Sequence, residues 1–254
     1  MKVLVKVENL SLKIGDRVIL KDVSFEVYDG EIFTILGGSG SGKTTITKCI
    51  VGLYRPTAGR VEVFGKDISK LNQIELDQIR RNIGYVFQGA ALFDSLKVWE
   101  NVVFYHLEHG KMKEEELKSL ALQCLSMVGL SERELELFPS ELSGGMRKRV
   151  GIARAIATQP TLIIYDEPTS GLDPITSRLI DELILSLRNR TGSTAIVVSH
   201  DLVSAFSISD RILVLREGEV LQVGTKEEIL NSHIPFVREF IKKGLGDLQD
   251  ARRG

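Results

Sequence analysis

The sequence predicts an α/β fold with a wound parallel sheet, an antiparallel β subdomain at its start and an inserted helical subdomain. Four short apolar runs have the composition of strands that are buried on both faces of a sheet. These runs are residues 32–36, 162–165, 194–198 and 212–215. Segments with helical periodicity, such as residues 175–190, lie between them, and this alternation is typical of a wound α/β core.

Two regions differ from this core. Apolar and polar residues alternate over residues 3–10 and 18–27, with Ile-Gly-Asp-Arg at 14–17 as a turn, which predicts antiparallel strands. Residues 100–109, 113–128 and 144–157 have helical periodicity and no buried-strand run between them. We therefore predict a core at 1–88 and 161–243 and a helical subdomain at 89–160. Residues 244–254 are polar and contain glycines, and we expect a flexible tail there.

Composition narrows the classes of function. The 254 residues are 43% hydrophobic and 26% charged, which is enough to bury a full core. A formal net charge of -1 lacks the basic character of nucleic-acid-binding domains, so DNA and RNA are not expected partners. Apolar runs of about 18 residues do not occur, so any membrane role is expected to require a partner protein. Cys49 and Cys124 lie among apolar residues and are predicted to be reduced core residues.

A glycine-rich segment after the first buried run matches the phosphate-loop pattern completely. In such a loop the glycines let backbone amides turn toward an anion, and the following helix N-terminus adds partial positive charge. Lysine contributes a full charge, and the threonine after it offers a hydroxyl to Mg²⁺. The segment consists of Gly37, Gly38, Ser39, Gly40, Ser41, Gly42, Lys43 and Thr44.

Two adjacent carboxylates, Asp166 and Glu167, follow the buried run at 162–165. Ligands of open α/β sheets bind beyond the carboxyl ends of the strands, so this pair is expected to face the phosphate site. Asp166 is suited to hold Mg²⁺ through water, and Glu167 is our candidate general base for an attacking water. These two motifs alone leave kinases, GTPases and motor ATPases open.

Further segments resemble those of ATP-binding-cassette (ABC) ATPases in order and spacing. Leu142-Ser143-Gly144-Gly145 resembles the signature segment, residues 170–173 the D-loop and residues 199–201 the switch-histidine segment, while Gln88 resembles the Q-loop glutamine. The resemblance extends from Val3 to about Phe240. It implies a RecA-like P-loop NTPase core that binds ATP and Mg²⁺, and a head-to-tail homodimer.

The resemblance also implies roles for individual residues. Glu167 and His200 are the implied catalytic residues, and Thr44, Gln88 and Asp166 are the implied Mg²⁺ ligands. Asp173 is expected to couple the two sites of the dimer. The implied nucleotide contacts are the phosphate loop from Gly37 to Thr45 together with Gln88, Ser143, Gly144, Gly145 and Asp173.

Elementary chemistry supports a second anion site at the signature segment. A capping serine followed by two glycines exposes backbone amides at a helix N-terminus.

Two positions depart from the family pattern. Ile14 stands where an aromatic residue usually stacks on adenine, with Arg17 nearby as a substitute, and Met146 replaces the usual glutamine of the signature.

Residues 87–96 and 173–177 resemble the Mla-type branch, which serves phospholipid trafficking in double-membraned bacteria and plastids. The resemblance implies transmembrane permease subunits, a lipid-shuttling accessory protein and a peripheral location on the cytoplasmic face of the inner membrane. Ala90, Leu92 and Phe93 are expected to line the groove that receives the permease. Three alternatives stay open: an importer of amino acids or other small solutes, a soluble ABC ATPase without a permease, and a phosphotransferase.

Overall fold

The structure is a computed structural model and describes residues 2–250. Ten strands occur in the described chain: β1 Val3–Ile14, β2 Arg17–Tyr28, β3 Ile32–Leu36, β4 Ala58–Val63, β5 Lys66–Asp67, β6 Ile83–Val86, β7 Leu162–Asp166, β8 Thr194–Ser199, β9 Arg211–Arg216 and β10 Glu219–Thr225. Its α-helices are α1 Lys43–Ile50, α2 Gln73–Arg80, α3 Val98–Val102, α4 Phe104–His109, α5 Glu114–Met127, α6 Gly144–Ile156, α7 Pro174–Thr191, α8 Leu202–Ile208, α9 Lys226–Leu230 and α10 Pro235–Asp250. Two compact units form, Met1–Arg80 with Thr194–Gly254, and Arg81–Ser193.

The first unit begins with an antiparallel sheet in the order β2-β1-β4-β5. Strand β1 pairs with β2 on one side and β4 on the other, so that Val5 lies opposite both Val27 and Val63. All three valines are fully buried, as the period-two pattern of the sequence predicts. The predicted antiparallel β subdomain is confirmed.

The first unit also contains parallel strands. Strand β3 is buried along its whole length and pairs in parallel with β8 and β9, while β10 pairs antiparallel with β9. Its last residue, Leu36, lies opposite Ser199 of β8 and Val214 of β9. Helices α8, α9 and α10 contribute to an apolar cluster that covers the end of β3. The carboxyl ends of β3 and β8 therefore lie side by side.

The second unit contains the helical segment. Strands β6 and β7 pair in parallel, with Tyr85 opposite Ile164. Between them the described chain forms helices and turns but no further strand, which confirms the predicted helical insertion. Its core includes Ala121 of α5 and Ile152 of α6, both fully buried.

Some local predictions need correction. The helix predicted over 100–109 is two short helices, α3 and α4, which meet at Val103. Residues 244–250, predicted as a flexible tail, belong to α10, and Leu245 is buried because it packs with Ile241 in the cluster below α8. Residues 251–254 lie outside the described chain. The domain boundaries at 89 and 160 stay a prediction.

Two remaining findings concern the cysteines and membrane insertion. Cys49 and Cys124 are free and buried, and burial raises the pKa of their thiols to about 12 and about 11. Among the described residues, α-helices are either too short or too polar to cross a bilayer.

The buried carboxylate of Glu31 connects the turn before β3 to β9 by hydrogen bonds. Glu31 is 8% exposed and accepts hydrogen bonds from the Tyr28 backbone N–H at 2.7 Å and from Arg211 at 3.2 Å. The Arg211 guanidinium also lies over the rings of Tyr28 and Phe33. Burial raises the pKa of Glu31, whereas the hydrogen bond from Tyr28 and the charge of Arg211 oppose that rise. Arg211 therefore compensates a buried negative charge.

We expect Arg211→Met to lower the free energy of unfolding by ~3 kcal/mol at neutral pH, because it leaves the Glu31 carboxylate buried without its cation. The pKa of Glu31 then rises further in the folded state. Because the folded chain binds this proton more tightly than the unfolded chain, the loss shrinks as pH falls toward the unfolded-state value. Urea unfolding at several pH values measures this. Glu31→Gln in the Arg211→Met background is the control and should remove the extra pH dependence; a deficit independent of pH would contradict the assignment.

Candidate functional site

The phosphate-loop segment lies between β3 and α1. Gly40 and Gly42 have φ values of +74° and +106°, in the region that favours glycine. Gly37 packs against β9 so closely that an added Cβ would overlap the carbonyl oxygen of Leu215. Its N–H donates to the Ser199 carbonyl at the end of β8, at 3.3 Å. The glycines thus permit both the tight turn and the close approach to neighbouring strands.

Helix α1 begins with features suited to an anion. Its N-cap is Gly42, which has no side chain to occupy the helix end, and the first turn carries no carboxylate. The ammonium of Lys43 is buried and donates to the carbonyls of Gly37 and Gly38 at 2.9 and 3.0 Å. The hydroxyl of Ser41 is buried and has no hydrogen-bond partner among the described residues, as expected for a group that awaits a polar ligand. These features fit the phosphate groups of a nucleotide.

His200 lies beside this loop within the first unit. It follows β8, is exposed, and precedes α8. Its neighbour Asp201 caps α8 by accepting from the N–H groups of Val203 and Ser204, and the Asp201 N–H donates to the Ser199 hydroxyl at 2.9 Å. The backbone on both sides of His200 is therefore fixed.

The paired carboxylates lie at the end of β7 in the second unit, and both are buried. Asp166 accepts a hydrogen bond from the Tyr85 hydroxyl at 3.1 Å. Glu167 has a φ of +51°, a conformation that costs a non-glycine residue ~1 kcal/mol. Such a conformation persists only where surrounding contacts hold it.

The Ser170 N–H donates to the Glu167 carbonyl at 3.2 Å, and a second contact comes from Lys148, which sequence reasoning missed. This lysine projects from α6, is 6% exposed, and donates to the backbone carbonyls of Gln88 and Glu167. Burial lowers the pKa of Lys148, although the charges of Glu167 and Asp166 oppose that shift. One buried cation thus anchors the backbone at two predicted site residues.

Gln88 is exposed, and its amide nitrogen donates to the Ser170 hydroxyl at 3.3 Å. The chain after it takes positive φ at Ala90 and Ala91, and Arg154 donates to both of their carbonyls at 2.6 and 2.7 Å. The expectation that Ala90 lines an open groove is wrong, because Ala90 is 1% exposed and packs against Gly151.

Exposed aromatic residues nevertheless mark this loop. Phe87 and Phe93 are 44% and 43% exposed, and Leu92 is partly exposed. The fully buried amide of Asn101 fixes Phe93, because it accepts from the Phe93 N–H and donates to the carbonyls of Phe93 and Leu96. We call residues 87–93 the aromatic loop. It presents apolar surface on a fixed backbone, as protein-binding surfaces do.

Ser143 is the N-cap of α6 and is exposed with Gly144. Its hydroxyl oxygen accepts from the Met146 backbone N–H at 3.3 Å, so the hydroxyl proton stays available to donate to a ligand. Gly145 approaches α7 closely, since an added Cβ would lie 2.8 Å from the methyl group of Thr176. The Met146 side chain takes no part in the cap.

Asp173 caps α7 by accepting from the N–H groups of Ile175 and Thr176 and from the Thr176 hydroxyl. The hydrogen bonds from Thr176 hold the pKa of Asp173 below its usual range. Because Gly145 lies against Thr176, the starts of α6 and α7 are neighbours. The signature and D-loop residues therefore lie close together within the second unit.

The departure at Ile14 lies at the end of the β1–β2 hairpin. Ile14 is 51% exposed and pairs directly with Arg17 across the turn. An aliphatic side chain and a guanidinium thus occupy the tip of the antiparallel sheet, where the family resemblance expects an aromatic ring.

A phosphate loop between a buried parallel strand and a helix, with a strand-end carboxylate pair elsewhere in the chain, defines the class of P-loop nucleotide-binding proteins. The "ABC transporter" family model matches residues 20–170. The chain is 41% identical over 239 residues to the intermembrane phospholipid transport system ATP-binding protein MlaF of Haemophilus influenzae, covering 94% of this chain and 90% of that protein. The chain belongs to the ABC transporter ATPase family.

Other relatives show the breadth of this family. The glycine betaine/proline betaine transport system ATP-binding protein ProV of Escherichia coli is also 41% identical, over 92% of this chain but 59% of ProV. The dimeric ATP-binding cassette MJ0796, solved with ADP and phosphate in a post-hydrolysis state, has 39% identity and a TM-score of 0.80 over 88% of this chain and 99% of that chain. The chain is an ATP-binding, ATP-hydrolysing subunit with the P-loop NTPase fold.

We expect Lys148→Met to lower both stability and ATP turnover, because the carbonyls of Gln88 and Glu167 lose a buried donor. Loss of the donor to the Gln88 carbonyl costs about 1–3 kcal/mol, whereas the Glu167 carbonyl keeps the Ser170 N–H at 3.2 Å but loses its bond from the lysine. Chemical unfolding and steady-state ATPase assays measure the two effects. The matched control is Arg149→Met, because Arg149 is the next residue on α6 and donates to Gly129 instead. Equal turnover in the two variants would contradict an anchoring role for Lys148.

Proposed function

We propose that this ABC ATPase powers phospholipid transport through a separate transmembrane permease. The observation that carries the proposal is the likeness to MlaF, which extends over almost the whole length of both chains at 41% identity. The segments at 87–96 and 173–177, which resemble the Mla-type branch, support it. A lipid-shuttling accessory protein and a peripheral place on the cytoplasmic face of the inner membrane belong to the same proposal.

The aromatic loop is the proposed docking site for the permease. Phe87 and Phe93 offer exposed aromatic surface, and aromatic residues are enriched in protein interfaces. Arg154 and Asn101 hold the loop by backbone hydrogen bonds, so little conformational entropy is lost when a partner binds. Lys148 donates to the carbonyls of both Gln88 and Glu167, so movement of this loop would displace the lysine and alter its contact with Glu167.

In the proposed mechanism, Lys43 and the loop from Gly37 to Thr45 bind the phosphates of ATP. The oxygen donors Thr44, Gln88 and Asp166 suit Mg²⁺, which prefers oxygen ligands. Bound Mg²⁺ would supply positive charge against the phosphate oxygens. Asp166 stays oriented for this role by its hydrogen bond from Tyr85.

Glu167 is the proposed general base, and its carboxylate takes a proton from the attacking water. His200 is proposed to donate a hydrogen bond to the γ-phosphate and to orient that water. In a head-to-tail homodimer, the hydroxyl of Ser143 and the amides of Gly144 and Gly145 would bind the same ATP from the second subunit. Asp173 would connect the two sites. Closure on ATP and reopening after phosphate loss then drive the permease.

Solute import is the second candidate, and a specific observation favours it. ProV is as similar in identity as MlaF, although a large part of ProV lies outside the match. Sequence identity of the ATPase chain therefore does not distinguish phospholipid transport from solute import. The test must identify the permease.

The test is affinity purification of the full tagged chain from host membranes in mild detergent, with identification of proteins and lipids. We expect a polytopic permease with bound phospholipid and a lipid-binding partner. A permease with a solute receptor would establish the import alternative, and recovery of no membrane protein would favour a soluble cassette. Phe93→Ser should lose the permease, whereas Phe138→Ser, with a similarly exposed ring, should retain it.

We expect Glu167→Gln to bind ATP, to accumulate closed dimers and to lose turnover by about 10²–10⁴-fold, because the amide cannot accept the proton of water. Single-turnover hydrolysis, ATP binding and size-exclusion chromatography with ATP measure these effects. Glu182→Gln, an exposed carboxylate on α7, is the isosteric control. Wild-type turnover in Glu167→Gln would refute the general-base role.

A further inference from the structure

The C-terminal helix α10 approaches the helix that follows His200 very closely. An added Cβ at Gly244 would overlap the Cδ1 methyl group of Leu202, and it would lie 3.1 Å from Cγ and 3.2 Å from Cβ. Ordinary carbon contacts lie at about 3.5–4.0 Å, so rotation of the methyl group alone would not make room. The absence of a side chain at Gly244 is therefore what allows α10 to lie against Leu202.

Leu202 cannot move away easily. It is 5% exposed and belongs to the apolar cluster that contains Ile241 and Leu245 of α10 and Leu36 at the end of β3. A close-packed interior transmits a displacement rather than absorbing it. A side chain at Gly244 would push on the first residue of α8.

Leu202 is two residues from His200, and the intervening Asp201 is fixed on both sides. Its carboxylate caps α8 at the N–H groups of Val203 and Ser204, and its N–H donates to the Ser199 hydroxyl. The start of α8 and the backbone of His200 are thus one short, hydrogen-bonded unit. A shift of the Leu202 backbone would move this unit.

We propose that Gly244 is a positioning residue for His200. Because Gly244 has no side chain, Leu202 can pack directly against α10, and the position of Leu202 determines the position of the histidine after β8. The inference rests on the proposed role of His200 in hydrolysis. It makes α10 part of the hydrolytic machinery, although no residue of α10 belongs to the predicted site. A partner that displaces α10 would accordingly change turnover without touching the nucleotide.

The test compares Gly244→Ala with Gly246→Ala in the full chain. Both changes put a better helix former into α10, but a Cβ at Gly246 meets no atom within 4 Å. The chain has four histidines, so their Cε1–Hε1 NMR signals can be resolved, and His200→Ala assigns the relevant one. ATP affinity, kcat and thermal unfolding complete the measurements.

We expect Gly244→Ala to shift the His200 signal and to lower kcat by about 10- to 100-fold, the scale of an ångström-sized misplacement, while ATP affinity changes little. Gly246→Ala should match wild type in all three. Leu202→Val in the Gly244→Ala background removes the overlapping methyl group and should restore part of kcat, whereas two unrelated defects would add. Leu202→Val alone should also shift the His200 signal. If Gly244→Ala does not fold, this variant tests whether Leu202 sets the position of His200, and an unchanged signal would overturn the proposal.

An unchanged His200 signal in folded Gly244→Ala, with or without a loss of kcat, would overturn the proposal. Equal effects of Gly244→Ala and Gly246→Ala would also overturn it. If His200→Ala keeps wild-type turnover, the proposed role of His200 in hydrolysis is wrong. The NMR comparison would then still decide whether Gly244 positions this histidine, so the two failures can be told apart.

Discussion

The parallel pairing of β3 with β8 and β9 is the constraint on which the phosphate-loop segment of the first unit depends. Leu36, Ser199 and Val214 lie in register, so the chain leaves β3 and β8 at one edge of the sheet. Gly37 fits this edge because its backbone can lie against the Leu215 carbonyl. The turn after β9 supports the loop as well, since the Gly218 N–H donates to the Ser41 carbonyl at 3.0 Å. The phosphate loop and His200 thus share one rigid support.

Much of the fold, and the elements on which the candidate site residues lie, followed from local patterns. Alternation predicted β1 and β2, buried runs predicted β3 and β7, and a capping serine marked the start of α6. Such signals are readable because they arise from neighbours along the chain. The boundaries were less accurate where a helix breaks without proline or glycine, as at Val103 between α3 and α4.

Contacts between distant residues were not predictable. Lys148 reads as one cation in a basic helical stretch, and only the fold shows that it is buried between Gln88 and Glu167, 60 and 19 residues away. Ala90 was expected to line the permease groove, but it is buried, has a positive φ and lies against Gly151. The segment after Gly244 has a tail-like composition, yet Leu245 is buried in a cluster assembled from four other elements. Tertiary packing overrides composition in each case.

The N-terminal caps of four helices in this chain differ in charge, and this difference bears on whether an anion can bind there. Helices α7 and α8 begin at Asp173 and Asp201, whose carboxylates already occupy the N-terminal amides with negative charge, so a phosphate would be repelled. Helices α1 and α6 begin at the neutral residues Gly42 and Ser143 and carry no carboxylate in the first turn. Their positive ends remain electrostatically suited to an anion. Among these four helices, the charge of the capping residue therefore separates the two starts capped by aspartate from the two that the sequence predicts as anion sites.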